Sequence, residues 1–354
     1  MFDALHRNIG KSGISFCVVE GGSRVIPTPP RFVFGPFPAD LAAMFYRRTD
    51  MPSLGTYSIE RAEVSLDFLI TLDGTAYSCF EANIHPLHVQ DRLNVSPSPT
   101  TIRHAEGKCV LLAGPGQRVF GHWLVDFLPK LVILQMSGYD IDSLKYIIPS
   151  DSPMFARKLL DMVGISAEKI IEFNGSEEKL VVDELLVPPI LHNGVRAACV
   201  FKDAVDLLVK RATLYSGYVD AVPTRDIFVS RSKTSQSRNL RNREEREKIA
   251  QDSGYELIYP ETMEMIDQAR TFSSARRIVG EYGSAMHWSM FSSPGTFICT
   301  IRGARHHPAF IQFGIGSVLA QPTGLVLGEA DSSDINTSFF VEKDAVINAL
   351  EVMR

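Results

Sequence analysis

From Lys108 onward, short apolar runs alternate with amphipathic stretches, and this alternation limits the chain to few architectures. KCVLLAG reads as a buried strand, HWLVDFLPKLVILQM as a helix, KYIIP as a strand and PMFARKLLDMVG as a helix; KIIEF and KLVVDELLVPP are further strands. Strands separated by helices imply βαβ units and a mostly parallel sheet. The stretch containing Pro188, Pro189 and Gly194 reads as a connection between domains. A helix over residues 200–215 follows, with apolar residues at helical spacing. The alternation then restarts with RDIFVSR, REEREKIAQDSG, YELIYPE, MEMIDQARTFSS, RRIVGEY, SAMHWSMF and TFICTI.

The fold expected is therefore α/β, with an N-terminal domain over residues 1–192 and a C-terminal one over 193–354. Residues 1–104 form a β-rich entry segment. Within it, AEVSLDFLITLDGTAYSC reads as a β-hairpin turning at Leu72-Asp73-Gly74. The last helix, VEKDAVINALEVMR, is expected to pack back on the first domain.

Composition excludes several classes. With 45% hydrophobic and 22% charged residues, the chain is neither disordered nor fibrous. A net charge of −5 provides no field for nucleic acid. The five cysteines are scattered, with no CxxC pair, so neither a zinc site nor a disulfide framework is indicated. No run of eighteen apolar residues occurs, and MFDALHRNIGKSGISF lacks the apolar core of a signal peptide. A cytoplasmic setting, compatible with peripheral contact at an inner membrane, is expected; the oligomeric state is open.

Three segments carry chemistry. In RRIVGEYGSAMHW, Glu281 lies at a strand's carboxyl end, where open α/β sheets bind ligands. Gly283 would let the backbone approach an anion, Ser284 is a natural N-cap, and His287 lies one turn into the helix. In FVSRSKTSQSRN, Arg231 ends a strand and Arg238 sits in the polar loop after it, and guanidinium groups match phosphate oxygens. In AGPGQRVFGHWLVDFLPK, His122 and Asp126 share one helical face after a Gly-rich loop. A histidine oriented by a carboxylate suits a general base. The plainer reading has His122 as a cap and Asp126 paired with Arg118 or Lys130. Asp140-Ile141-Asp142 spells DxD, but its place in SGYDIDS reads as a turn and helix cap rather than a metal site. His306 and His307 are weaker candidates for an acceptor side.

Together GHWLVDFLPKLVIL, FVSRSKTSQSRNLRN and GEYGSAMHWSMFSSPGTFICTI, in this order and spacing over roughly residues 105–305, resemble the family 61 glycosyltransferases, including bacterial polysaccharide-biosynthesis members. The resemblance implies two Rossmann-like domains facing across a cleft (GT-B-like). It also implies an inverting, metal-independent transfer with no cofactor beyond the nucleotide-sugar substrate. His122 and Asp126 would supply the base. Arg231, Arg238, Glu281, Gly283, Ser284 and His287 would hold the nucleotide sugar, with Asp267 and Gln268 on a helix near the nucleotide. The acceptor would be a saccharide or lipid-linked glycan. The family often has Asn where this chain has Trp288. Two other readings stay open: a pyruvyl- or phosphate-group transferase on the same scaffold, and an inactive glycan- or nucleotide-binding subunit.

Overall fold

A computed structural model describes the chain except residues 1, 12, 27, 67, 95–98, 100, 234–237, 306–310, 333 and 335. His306, His307 and part of the SKTSQSRN loop thus lie outside the described residues. The chain forms two compact units. The first comprises Met1–Ser23, Pro52–Leu191 and Asp206–Ser216; the second comprises Arg24–Met51, His192–Val205 and Gly217–Arg354.

The first unit is built on a nine-stranded mixed sheet. Its strands include β1 (Leu54–Ser65), β2 (Leu69–Leu72), β3 (Thr75–Ser78), β4 (Thr101–Leu111), β5 (Lys145–Pro149), β6 (Ile170–Phe173) and β7 (Glu178–Val187). Across the sheet the order is Phe2–Ala4, β3, β2, β1, β7, β4, β5, β6, with Ile14–Glu20 also paired to β1. Only part of it is the expected parallel αβ sheet: β7, β4, β5 and β6 run parallel. β1 is antiparallel to β7, to β2 and to Ile14–Glu20. For β1 and β2 the physical reason is connection length, because links of a few residues join only antiparallel strands. The expected hairpin is β2–β3. Asp73 and Gly74 both take positive φ (49° and 76°), the geometry of a two-residue turn whose twist matches the strands.

The second unit is a doubly wound sheet. Its strands β8 (Arg225–Val229), β9 (Glu256–Ile258), β10 (Ala275–Glu281), β11 (Phe297–Gly303) and β12 (Thr323–Ala330) are ordered β9-β8-β10-β11-β12, all parallel. Val33–Phe34 adds a parallel edge to β12, so a segment from the start of the chain belongs to this unit. Helices α1 (Arg243–Asp252) and α4 (Lys343–Val352) pack together; α2 (Met265–Ser273) and α3 (Gln312–Val318) both pack on the 3₁₀ helix Ser284–Phe291. The terminal helix α4 packs against Val33–Phe34, a segment from the start of the chain. Val346, Ala349 and Leu350 bury it in the core with Val279, Cys299 and Val326 of its own sheet. The order reverses between β8 and β10. Open α/β sheets bind ligands just outside the carboxyl ends of strands at such a switch point. The loops there begin at Ser230 and at Tyr282.

Candidate active site

In the first unit, β4 leads through Leu112–Val119 into a broken helix spanning residues 120–136. Pro129 is the reason for the break. It has no N–H to donate and crowds the carbonyl four residues back. The chain responds with one wide turn: the Leu128 N–H reaches the Trp123 carbonyl, five residues back, at 3.0 Å. Trp123, fully buried, donates its indole N–H to the Gln117 carbonyl at 2.7 Å and pins the preceding loop.

His122 and Asp126 meet as the sequence suggests: Nδ1 lies 2.5 Å from Asp126 Oδ2. The Asp126 side chain is 3% exposed and that of His122 37%, so the carboxylate is internal and the imidazole reaches the surface. Burial works against the charged imidazolium, but the hydrogen bond and charge of Asp126 outweigh it, and the pKa of His122 is raised above 6.5. Arg118 pairs with Asp151 instead of Asp126. Gly116 proves part of the site. Its φ is +90°, and a Cβ there would lie 2.8 Å from His122 Cδ2. The ring therefore rests against bare backbone. The Gly-rich loop was visible in the sequence, but not this contact.

In the second unit the switch-point loops gather arginines. Tyr282 has the Arg238 guanidinium 5.2 Å from its ring centre and that of Arg302 at 5.0 Å. Arg238 and Arg302, with Arg305, line a small pocket that also includes Glu281, Tyr282 and Thr337. Burial lowers the pKa of Arg302 and of Arg231, and the charge of Arg238 lowers both further. Arg238 itself holds a left-handed backbone, φ +60°, and its buried Nε has no hydrogen-bond partner among the described residues. Concentrated, partly desolvated positive charge of this kind suits a polyanionic ligand. Sequence reasoning did not single out Arg302 and Arg305. The signal was a charged residue closing the apolar run TFICTI at a strand's carboxyl end.

Other expected ligands have different neighbours. Glu281 is 2% exposed and bound bidentately by Arg243, at 2.6 and 3.0 Å, while the Arg231 N–H donates to it at 3.3 Å. It fastens the arginine loop. Gly283 has φ 171°, ordinary extended backbone, and the space beside it holds the Arg231 side chain. A Cβ there would lie 2.7 Å from Arg231 Nη1, which donates to the Tyr282 carbonyl. Gly283, not Ser284, is the N-cap; Ser284 is the first residue of a 3₁₀ turn. His287 Nδ1 lies 3.2 Å from Gln312 Oε1, so it joins a network running on to Ser289. Trp288 is fully buried and donates to Gln268 at 2.5 Å, which makes both core residues. Asp267 pairs with Arg270. In the DxD triplet, Asp140 caps a 3₁₀ turn and Asp142 is held by Arg211 at 2.8 Å. No group of three or more potential metal ligands occurs among the described residues.

The sequence profile of glycosyltransferase 61 matches residues 120–299, half the chain, and takes in His122, Asp126, Arg231, Arg238 and Glu281 but not Arg302 or Arg305. The chain belongs to glycosyltransferase family 61. Membership carries glycosyl transfer as the activity. Among solved structures, the E. coli heptosyltransferase WaaC with ADP is similar at 11% identity, over 70% of this chain and 97% of that one, with a TM-score of 0.30. At that score the likeness carries no argument. No curated protein matches significantly. No helix among the described residues is long and apolar enough to cross a membrane.

Proposed function

We propose that this family member is an inverting transferase, moving a sugar from a nucleotide-sugar donor to a saccharide or lipid-linked glycan in polysaccharide biosynthesis. The cytoplasm or the face of an inner membrane is the setting this reading implies. The observation that carries it is the His122–Asp126 pair. With Nδ1–H donated to Asp126, the lone pair of His122 is on Nε2. There it takes the proton of an acceptor hydroxyl as that oxygen attacks the anomeric carbon. The bond from that carbon to the diphosphate breaks on the opposite face, and the nucleoside diphosphate leaves with the electron pair. Arg231, Arg238, Arg302 and Arg305 would neutralise it, a task that positive side chains can perform without a metal.

The test combines a thermal-shift screen against nucleoside diphosphates and nucleotide sugars with turnover on the donor it identifies. A donor at a hundred times its Kd should add about 2.7 kcal/mol of stability. His122→Ala and Asp126→Asn should then lower kcat by on the order of a hundred- to ten-thousand-fold with little change in donor Kd. The double variant should be scarcely worse than the poorer single one. Protonation of His122 removes the base, so the acid limb of the wild-type rate profile should lie above pH 6.5. Near-wild-type turnover in both single variants sinks the base assignment. Transfer from phosphoenolpyruvate but from no nucleotide sugar would replace the glycosyl reading.

A further inference from the structure

Lys130 is a lysine with 1% exposure inside the helix that carries the base. Its Nζ donates to the Leu112 carbonyl, just past the end of β4, at 3.0 Å. It also lies over the face of Phe127, 5.3 Å from the ring centre. An ammonium is expensive to bury without a counter-charge. Asp126 and Cys79 are the groups that act on it. Cys79 comes from the segment after β3. Burial and the neighbouring Glu81 push its thiol pKa up, so it stays neutral. Asp126 lies four residues before Lys130, a spacing that makes the two neighbours on one helical face, and its side chain is likewise internal at 3% exposure.

We propose that Lys130 is a positioning residue for the base: its ammonium keeps Asp126 a carboxylate, fastens the helix to the end of β4, and so sets the proton affinity of His122. Asp126 then lies between two cations, imidazolium and ammonium, that compete for it. Taking away the ammonium raises the pH at which His122 and Asp126 together give up their proton. Burial pulls the pKa of Lys130 down to about 8, against the opposing pull of Asp126, so its charge is present at neutral pH.

The inference rests on the base reading, but its test needs no substrate. The full chain with ¹³C-labelled histidine is titrated by NMR, and the His122 signal is assigned by its absence from His122→Gln. Lys130→Met and Lys130→Gln should each raise the His122 midpoint by about one pH unit, and Lys130→Arg should restore it. Lys130→Gln retains a donor for Leu112 and is read alone where Lys130→Met does not fold. An unmoved midpoint in the folded neutral variants overturns the proposal, as does failure of both to fold while Lys130→Arg folds. A shifted midpoint with full turnover in His122→Ala would instead sink the base reading and leave this one standing.

Discussion

Gly116→Ala is the sharpest test of how the proposed base, His122, is held. The substitution does two things. It puts a side chain on a backbone at φ +90°, and it places a Cβ 2.8 Å from His122 Cδ2 and 3.0 Å from Nε2. The first effect costs about 1–2 kcal/mol of stability. The second forces the ring back by about half an ångström before ordinary contact is restored. Displacing the ring disturbs the 2.5 Å bond that orients it on Asp126. Misplacement on this scale should lower kcat by on the order of ten- to a hundred-fold, up to ~2.7 kcal/mol in the barrier. The molecule contains its own control. Gly138, in the same unit, has φ +86°, and an alanine methyl there would meet nothing within 4 Å. Gly138→Ala should therefore share only the backbone cost in thermal unfolding, destabilising no more than Gly116→Ala, while keeping wild-type turnover. The assay is kcat beside the His122 titration midpoint in both variants. Turnover of Gly116→Ala within about threefold of Gly138→Ala, with the midpoint unmoved, would refute the reasoning.

Arg238→Met and Arg302→Met should each weaken nucleoside diphosphate binding by about ten- to a hundred-fold, the loss of one charge-assisted contact. Calorimetric titration measures this, and unchanged Kd values in both would move the diphosphate elsewhere. Turnover should survive a chelator in full; loss restored by magnesium or manganese would reopen the metal reading at Asp140 and Asp142. Glu281→Gln should destabilise by about 2–4 kcal/mol by leaving Arg243 with a broken buried pair, and Glu281→Gln with Arg243→Gln should be no worse than the single change. Lost donor binding at unchanged stability would instead make Glu281 a direct ligand.

The second unit was largely legible because each of its strands is an apolar run closed by a turn, and the runs alternate with helices. Burial on both faces leaves few other arrangements for such runs. The β1–β7 pairing was less legible, since β7 reads as one more strand of a parallel series and its antiparallel partner lies more than a hundred residues earlier. The membership of residues 24–51 in the second unit has the same origin: Val33–Phe34 is a two-residue strand with no pattern of its own.

At the sites, spacing shows which side chains neighbour one another along an element, but not which partners they meet across the fold. Spacing put His122 and Asp126 on one helical face, and the structure joins them through a turn widened by Pro129. Spacing cannot say which partner a buried charge takes. Glu281 stands where a ligand contact belongs, but a carboxylate at 2% exposure is costly unless paired, and Arg243 is the pair. Lys130, amid FLPKLVIL, was the mirror case: a cation in a wholly apolar run must find a carbonyl and a carboxylate. Both examples follow from desolvation. A charge that the apolar pattern forces inward arranges its neighbours before it meets any substrate, so at such positions the first question is which internal partner holds it.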